Sequence, residues 1–318
     1  MLLRGTFVHA QQLGELEILH DHLVGTFDYA LIKHGEPPPI PLTGVDESGF
    51  IQHIAAANSP QSEQFMAMNC QDTIINIPTG SFVLPTFCDL HMHAPQFLYQ
   101  GTGLDLPLMK WLDTYALKAE ARLDEDPKLA ERVYTRLATR LKENGTGSAL
   151  LFGTIKEETK WADHLPEYSS SNNSDPSLIL ANCMQAAGLR AFVGKLSMDI
   201  DITSPNSLTK TYVEKSASES LAASRSFVHR CREIGVNLPE SQRLVEPVLT
   251  PRFVPTCTDE LLAGLGAISE TGKIKIQSHL AEAKDQVEWV RAERGIEDID
   301  VFEKVIYCSS QLGMPWIN

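Results

Sequence analysis

The sequence predicts an α/β protein whose main body is an incomplete (β/α)8 barrel of the TIM type, with a small β-rich domain ahead of it. Three observations carry this. From residue 82 onward, short apolar runs alternate with segments of helical periodicity, the pattern of parallel strands covered by helices. Residues 1–80 have a different texture, with short strand-like pieces set among loops. The β/α units stop at five: they occupy residues 82–296, about 43 residues each, and leave 22 of the 318 residues, whereas a closed barrel needs eight strands.

In the N-terminal part, Gly5-Thr6-Phe7-Val8-His9 and residues 26–32 read as strands. Pro37-Pro38-Pro39-Ile40-Pro41 suits neither a helix interior nor a central strand. Barrel strands are expected over 82–90, 147–153, 190–196, 244–249 and 273–278. Pro247 weakens the fourth, because proline cannot donate to a ladder.

Helices fall between the strands. Asp126 caps and Pro127 opens one whose Leu129, Val133, Leu137 and Leu141 recur every four residues before Gly145 closes it. Asp175-Pro176 repeats that start. Leu221, Val228, Cys231 and Ile234 mark a third helix, ended by Gly235. Thr258 opens a fourth with Leu261, Leu265 and Ile268, ended by Gly272, and Val287 and Val290, with Trp289 beside them, mark the last, ended by Gly295. Residues 167–175 read as a mobile polar loop. The expected division is a β-rich domain over 1–80, the barrel over 81–304 and a separate tail over 305–318.

Composition excludes several classes. The chain is 43% hydrophobic and 21% charged, ordinary for a globular protein. A net charge of −14 with a pI near 5.1 argues against a nucleic-acid partner. No apolar run approaches the ~20 residues of a membrane span, and no secretory signal is visible at the N-terminus. Six cysteines without CxxC spacing predict reduced thiols and a cytoplasmic home. No Gly-x-Gly-x-x-Gly or phosphate-loop pattern follows a strand.

The chemistry concentrates at His91-Met92-His93, which ends the first barrel strand. Residues i and i+2 of a strand share a face, so two imidazoles there can share one metal ion. His279 ends the fifth strand, and Glu282 follows it by three residues. In a parallel barrel these strand ends lie on one rim. Nitrogen ligands beside an acid suit a hydrolytic Zn²⁺ site. His20-Asp21-His22 has the same spacing but no matching context and reads as a surface feature. His9, His34, His53, His164 and His229 read as surface or packing residues.

Longer segments resemble the amidohydrolase superfamily and, within it, the guanine deaminase family. They include Leu3-Arg4-Gly5-Thr6-Phe7-Val8-His9, Pro85-Thr86-Phe87-Cys88-Asp89-Leu90-His91-Met92-His93-Ala94-Pro95-Gln96 and Asp105-Leu106-Pro107-Leu108-Met109-Lys110-Trp111-Leu112. Arg190-Ala191-Phe192-Val193-Gly194-Lys195, Leu249-Thr250-Pro251-Arg252-Phe253 and Gln277-Ser278-His279-Leu280-Ala281-Glu282 complete them. His-x-His alone marks only the superfamily; combined with the Gln96, Arg252-Phe253 and His279…Glu282 contexts it is far more specific. The resemblance implies that His91, His93 and His279 are zinc ligands and Glu282 a proton shuttle. It implies that Gln96 meets the purine edge, Arg252 the 6-oxo group and Phe253 the ring. The implied reaction is hydrolysis of guanine, the small-molecule substrate, to xanthine and ammonia by a cytoplasmic homodimer.

On residue type, Arg252 also fits a structural ion pair and Glu282 a first-turn helix acid, though the site roles are favoured for both, while Phe253 fits the core equally well. The resemblance also implies a sixth-strand histidine and an eighth-strand aspartate. No histidine follows His279, so a C-terminally truncated chain with little deaminase activity and limited stability is expected. Another amidohydrolase acting on a related heterocycle, and a non-catalytic remnant binding metal or a partner subunit, are the alternatives.

Overall fold

A computed structural model describes residues 2–25, 51, 53–157, 175–203 and 212–304. The strand expected over 26–32, the proline run at 37–41, all but the last residue of the 167–175 loop and the 305–318 tail lie outside the described residues. The chain divides into two compact units, Met1–Phe87 with Asn237–Arg243, and Cys88–Val236 with Leu244–Asn318.

The first unit is built on strands β1 (Leu2–Gln12), β2 (Glu15–Gly25), β3 (His53–Ala56) and β4 (Ile74–Asn76), in the order β3-β2-β1-β4. β1 and β2 form an antiparallel hairpin, β3 pairs antiparallel with β2, and β4 runs parallel to β1. Helix α1 (Pro60–Met68) follows β3, with Ser59 accepting from the Ser62 N–H as its N-cap. Leu2, Leu23, Ala57 and Phe65 form the buried cluster.

The second unit contains the strands β5 (Phe87–His93), β6 (Thr146–Phe152), β7 (Arg190–Gly194) and β9 (Val245–Pro247), neighbours in chain order. β6–β7 and β7–β9 are parallel. A shorter parallel pair joins β8 (Leu196–Ser197) to β10 (Thr250–Pro251). Between strands come α4 (Pro127–Glu143), α5 (Pro176–Ala187), α6 (Ala217–Glu233) and α7 (Asp259–Gly272). α8 (Lys284–Arg294) and α9 (Asp298–Phe302) close the described chain. This is the alternating architecture of an incomplete β/α barrel.

The helix starts follow the capping logic. Asp126 accepts from the Leu129 N–H at 2.9 Å, Asp175 from Ser177 and Leu178, and Thr258 from Leu261. Such caps are each worth about 1 kcal/mol. The apolar faces of α4 to α7 meet the strands in one core that includes Tyr134, Leu151, Leu180, Val193, Phe227 and Leu262. Each fully buried side chain of this kind contributes about 1.5–3 kcal/mol.

Three strands differ from expectation. The run over 82–90 becomes a strand only from Phe87, because Pro85 interrupts it. Val83 instead pairs with Phe7 in the first unit. β5 is also not buried on both faces: Phe87 and Leu90 are 59% and 50% exposed. The fourth strand splits into β9 and β10, each ending on a proline that lacks a donor. The fifth reduces to a bridge, in which Ile276 pairs in parallel with Leu249. α7 ends at Gly272 as expected, with Lys273 as its C-cap in the left-handed conformation at φ +53°.

Helices over 108–125 went unread in the sequence. α2 (Leu108–Trp111) passes through a π turn at Leu112–Ala116 into α3 (Leu117–Glu125). Among the described residues, no helix is long and apolar enough to cross a membrane.

Candidate functional site

β5 delivers two imidazoles from one end, and the segment after Ile276 delivers a third. The ring centroids of His91, His93 and His279 lie 4.9–5.4 Å apart. One ring nitrogen from each falls within 4.8 Å of the other two, with His91 exposed, His93 half-buried and His279 buried. His93 Nε2 and His279 Nε2 are 2.8 Å apart.

Backbone geometry fixes the tautomer of the third ring. His279 Nδ1–H donates to the Arg252 carbonyl at 2.6 Å, and the His279 N–H reaches the same oxygen at 3.2 Å. The Nε2 of His279 therefore carries a lone pair aimed at His93, and the two nitrogens can share one proton or one cation. Gln277 steadies this segment by donating through Nε2 to the Leu151 carbonyl and Thr250 Oγ1. Gly194 makes that crossing possible, since a Cβ there would overlap Thr250 Oγ1 and sit 2.7 Å from Gln277 Nε2. Beneath the three imidazoles lies Phe152, fully buried at the end of β6, with its ring centroid 4.5–4.8 Å from each of theirs.

This environment keeps the rings neutral. Burial holds His93 well below the ordinary histidine value, reinforced by His279, Arg252 and His91. Burial lowers His279 to about 4, against the contrary pull of its hydrogen bond to Arg252. His91 is lowered by burial and partly restored by Asp89. Neutral imidazoles with free lone pairs are what a metal cation requires, so the donor set fits a divalent ion. His93 Nδ1 is buried without a hydrogen-bond partner among the described residues.

A cavity of about 490 Å³ opens onto these histidines, and Gln96, Arg252, Phe253 and Glu282 also line it. Gln96 sits in the 3-10 turn Ala94–Leu98 directly after β5. Glu282 is raised above the ordinary carboxylate value by burial, which Arg252 opposes and Asp285 assists. Phe253 is 2% exposed and packs with Leu112 and Ala116, so it both belongs to a core cluster and reaches the cavity wall.

Arg252 is already engaged. Its two terminal nitrogens donate to the Glu120 carboxylate at 2.6 and 2.9 Å, with both side chains at most 3% exposed. Burial works against the guanidinium's charge, but Glu120's charge and hydrogen bonds outweigh it and hold Arg252 above its ordinary value. A guanidinium has five N–H donors, so donors remain for a further acceptor.

Sequence reasoning missed Glu120, Phe152, Gln286 and Asp298. Glu120 had a visible signal: it lies with Leu117 and Asp124 on one face of α3, and all three are buried. Asp124 in turn accepts from the Tyr212 hydroxyl at 2.6 Å.

Comparison with known proteins follows the same lines. Residues 82–305 match the amidohydrolase family. The chain is 36% identical over 299 residues to a guanine deaminase of Dictyostelium discoideum, covering 92% of this chain and 55% of that protein. It thus spans about half the length of the curated relatives it matches. Its fold is similar to that of guanine deaminase from C. acetobutylicum with guanine bound in the active site (TM-score 0.72, 24% identity, 96% of this chain and 59% of that one). It is also similar to a mutant atrazine chlorohydrolase of Arthrobacter aurescens complexed with zinc and atraton (TM-score 0.68, 13% identity, 96% and 58% covered). At these structural identities the likeness establishes the fold. The match over most of the chain, together with three histidines gathered from the end of β5 and the segment after Ile276, makes this chain a member of the amidohydrolase family.

Proposed function

We propose that this chain belongs to a zinc-dependent guanine deaminase of cytoplasmic purine catabolism, which hydrolyses guanine to xanthine and ammonia. One observation supports this above the others. Three neutral imidazoles converge at a cavity that a raised-pKa glutamate and a buried arginine also line. His91, His93 and His279 would hold the metal. When bound, zinc supplies a water whose pKa is lowered towards ~7.

This chain's own residues do the rest. Glu282 takes one proton from the attacking water and gives it to the purine ring nitrogen as the C–O bond forms, then carries a second, from the new hydroxyl, to the amine as the C–N bond breaks. Its desolvation brings its proton affinity closer to neutral pH, as that task needs. Gln96 offers a donor and an acceptor together to the amino-purine edge. Arg252, held rigid by Glu120, presents its remaining donors to the 6-oxo group. Phe253 covers the ring face.

The test is incubation of the zinc-loaded chain with guanine, with xanthine and ammonia quantified together. Guanine binding is expected, with slow turnover that releases both products equally, and Glu282→Gln should abolish that turnover while leaving zinc in place. A folded, zinc-loaded chain that neither binds guanine nor releases xanthine overturns the reading. Turnover of a triazine or pterin in the same assay would move the substrate assignment to a related ring.

A further inference from the structure

Ala281, between His279 and Glu282, adopts a left-handed conformation at φ +48°. A residue bearing a Cβ is disfavoured there by roughly 1–2 kcal/mol. Two buried polar side chains from later in the chain hold it in place. Asp298, 4% exposed at the start of α9, accepts the Ala281 N–H at 2.8 Å. The same oxygen accepts from Gln286 Nε2 at 2.7 Å. Gln286, 1% exposed on α8, uses its Oε1 to accept the Glu282 N–H at 3.1 Å. Two consecutive amides are therefore tied down, and the groups that tie them are tied to each other. The other Asp298 oxygen is buried without a partner among the described residues, so the bonds seen at this carboxylate all serve the turn.

We propose that Asp298 and Gln286 are positioning residues for Glu282, fixing the strained turn so that its carboxyl enters the histidine-lined cavity. The inference rests on the deaminase reading above, in which Glu282 carries the proton. Burying a carboxylate is costly unless hydrogen bonds compensate, and strain held between functional groups marks a mechanistic constraint. His279 does not depend on the clamp, because the Arg252 carbonyl holds both its backbone N–H and its Nδ1–H. The clamp acts on the acid and not on the metal-binding group.

The test compares Asp298→Ala, Asp298→Asn and Asp298→Ala combined with Ala281→Gly, in the full chain loaded with zinc. Three quantities are read: hydrogen exchange of the Ala281 and Glu282 amides, zinc content, and kcat and KM for xanthine release. Asp298→Ala should speed exchange of those two amides about tenfold or more. It should retain zinc and lower kcat about 100-fold with KM unchanged. Asn, whose amide oxygen can accept the same two bonds, should stay close to wild type. Glycine at 281 adopts the left-handed conformation without strain and should recover part of the kcat lost in Asp298→Ala. The inference is overturned if Asp298→Ala keeps slow exchange at both amides, or loses zinc in step with rate, or slows catalysis no more than Asn does. If the zinc-loaded wild type neither binds guanine nor releases xanthine, the deaminase reading fails. The clamp is then decided by amide exchange alone, and slow exchange retained in Asp298→Ala still overturns it.

Discussion

Replacing Glu120 by glutamine tests how the buried Arg252 charge is held. The two side chains are at most 3% exposed and joined by contacts of 2.6 and 2.9 Å. Glutamine keeps the shape and one acceptor but turns an NH2 group towards a guanidinium N–H. Removing one partner of a buried ion pair leaves an uncompensated charge, and costs about 3–5 kcal/mol. For a unit of this size that corresponds to a fall in Tm of about 6–20 °C. Urea denaturation of wild type, Glu120→Met, Arg252→Met and the double variant Glu120→Met/Arg252→Met closes the cycle, with Glu120→Gln measured beside it. The double variant should recover most of the loss, because well-packed apolar replacements of buried pairs are often neutral. Zinc content should be unchanged in the folded Glu120→Gln protein, since His279 leans on the Arg252 carbonyl and not on its side chain. A Glu120→Gln loss below about 1 kcal/mol, the scale of an exposed pair, refutes the reasoning. So does a double variant no more stable than Glu120→Gln.

Other outcomes follow from the same structure. His279→Ala and His93→Ala should each abolish stoichiometric zinc in metal analysis, whereas His22→Ala in the decoy motif should leave it intact. Phe152→Ala should lower stability by about 3–5 kcal/mol and weaken zinc retention, because the ring supports all three imidazoles. Burial raises the Asp124 carboxyl from 3.8 to about 7. Between those pH values the unfolded state has lost a proton that the native state keeps, so stability falls as pH rises. The decline is about 1.4 kcal/mol per pH unit, of order 4 kcal/mol in all. Asp175 is raised to about 7 by the same cause, so urea midpoints from pH 4 to 8 should fall less steeply in Asp124→Asn than in wild type by about that amount; identical slopes contradict the assignment.

Local signals made much of this legible in advance. Asp126, Asp175 and Thr258 announce their helices because a cap acts on the next three residues. The His91/His93 pair is readable because strand alternation is local. The strand after Phe82 was misplaced because an apolar run does not reveal which neighbour its two halves will join. Pro85 was the available clue. Glu120 and Arg252 are 132 residues apart in sequence, and no pattern within either segment encodes their meeting. The Asp298–Gln286 clamp was invisible for a related reason. Its purpose depends on the backbone angle of Ala281, a residue whose chemistry gives no hint of strain.

Position 252 divides its labour between main chain and side chain. Its peptide oxygen braces the third imidazole, a service any amino acid could render, while its guanidinium faces Glu120 and the cavity. On the proposed reading, evolution could therefore exchange the side chain at this site, together with its acidic counterpart, to admit a new heterocycle while inheriting the three imidazoles unaltered. A scaffold wired in this way separates what it grips from what it recognises.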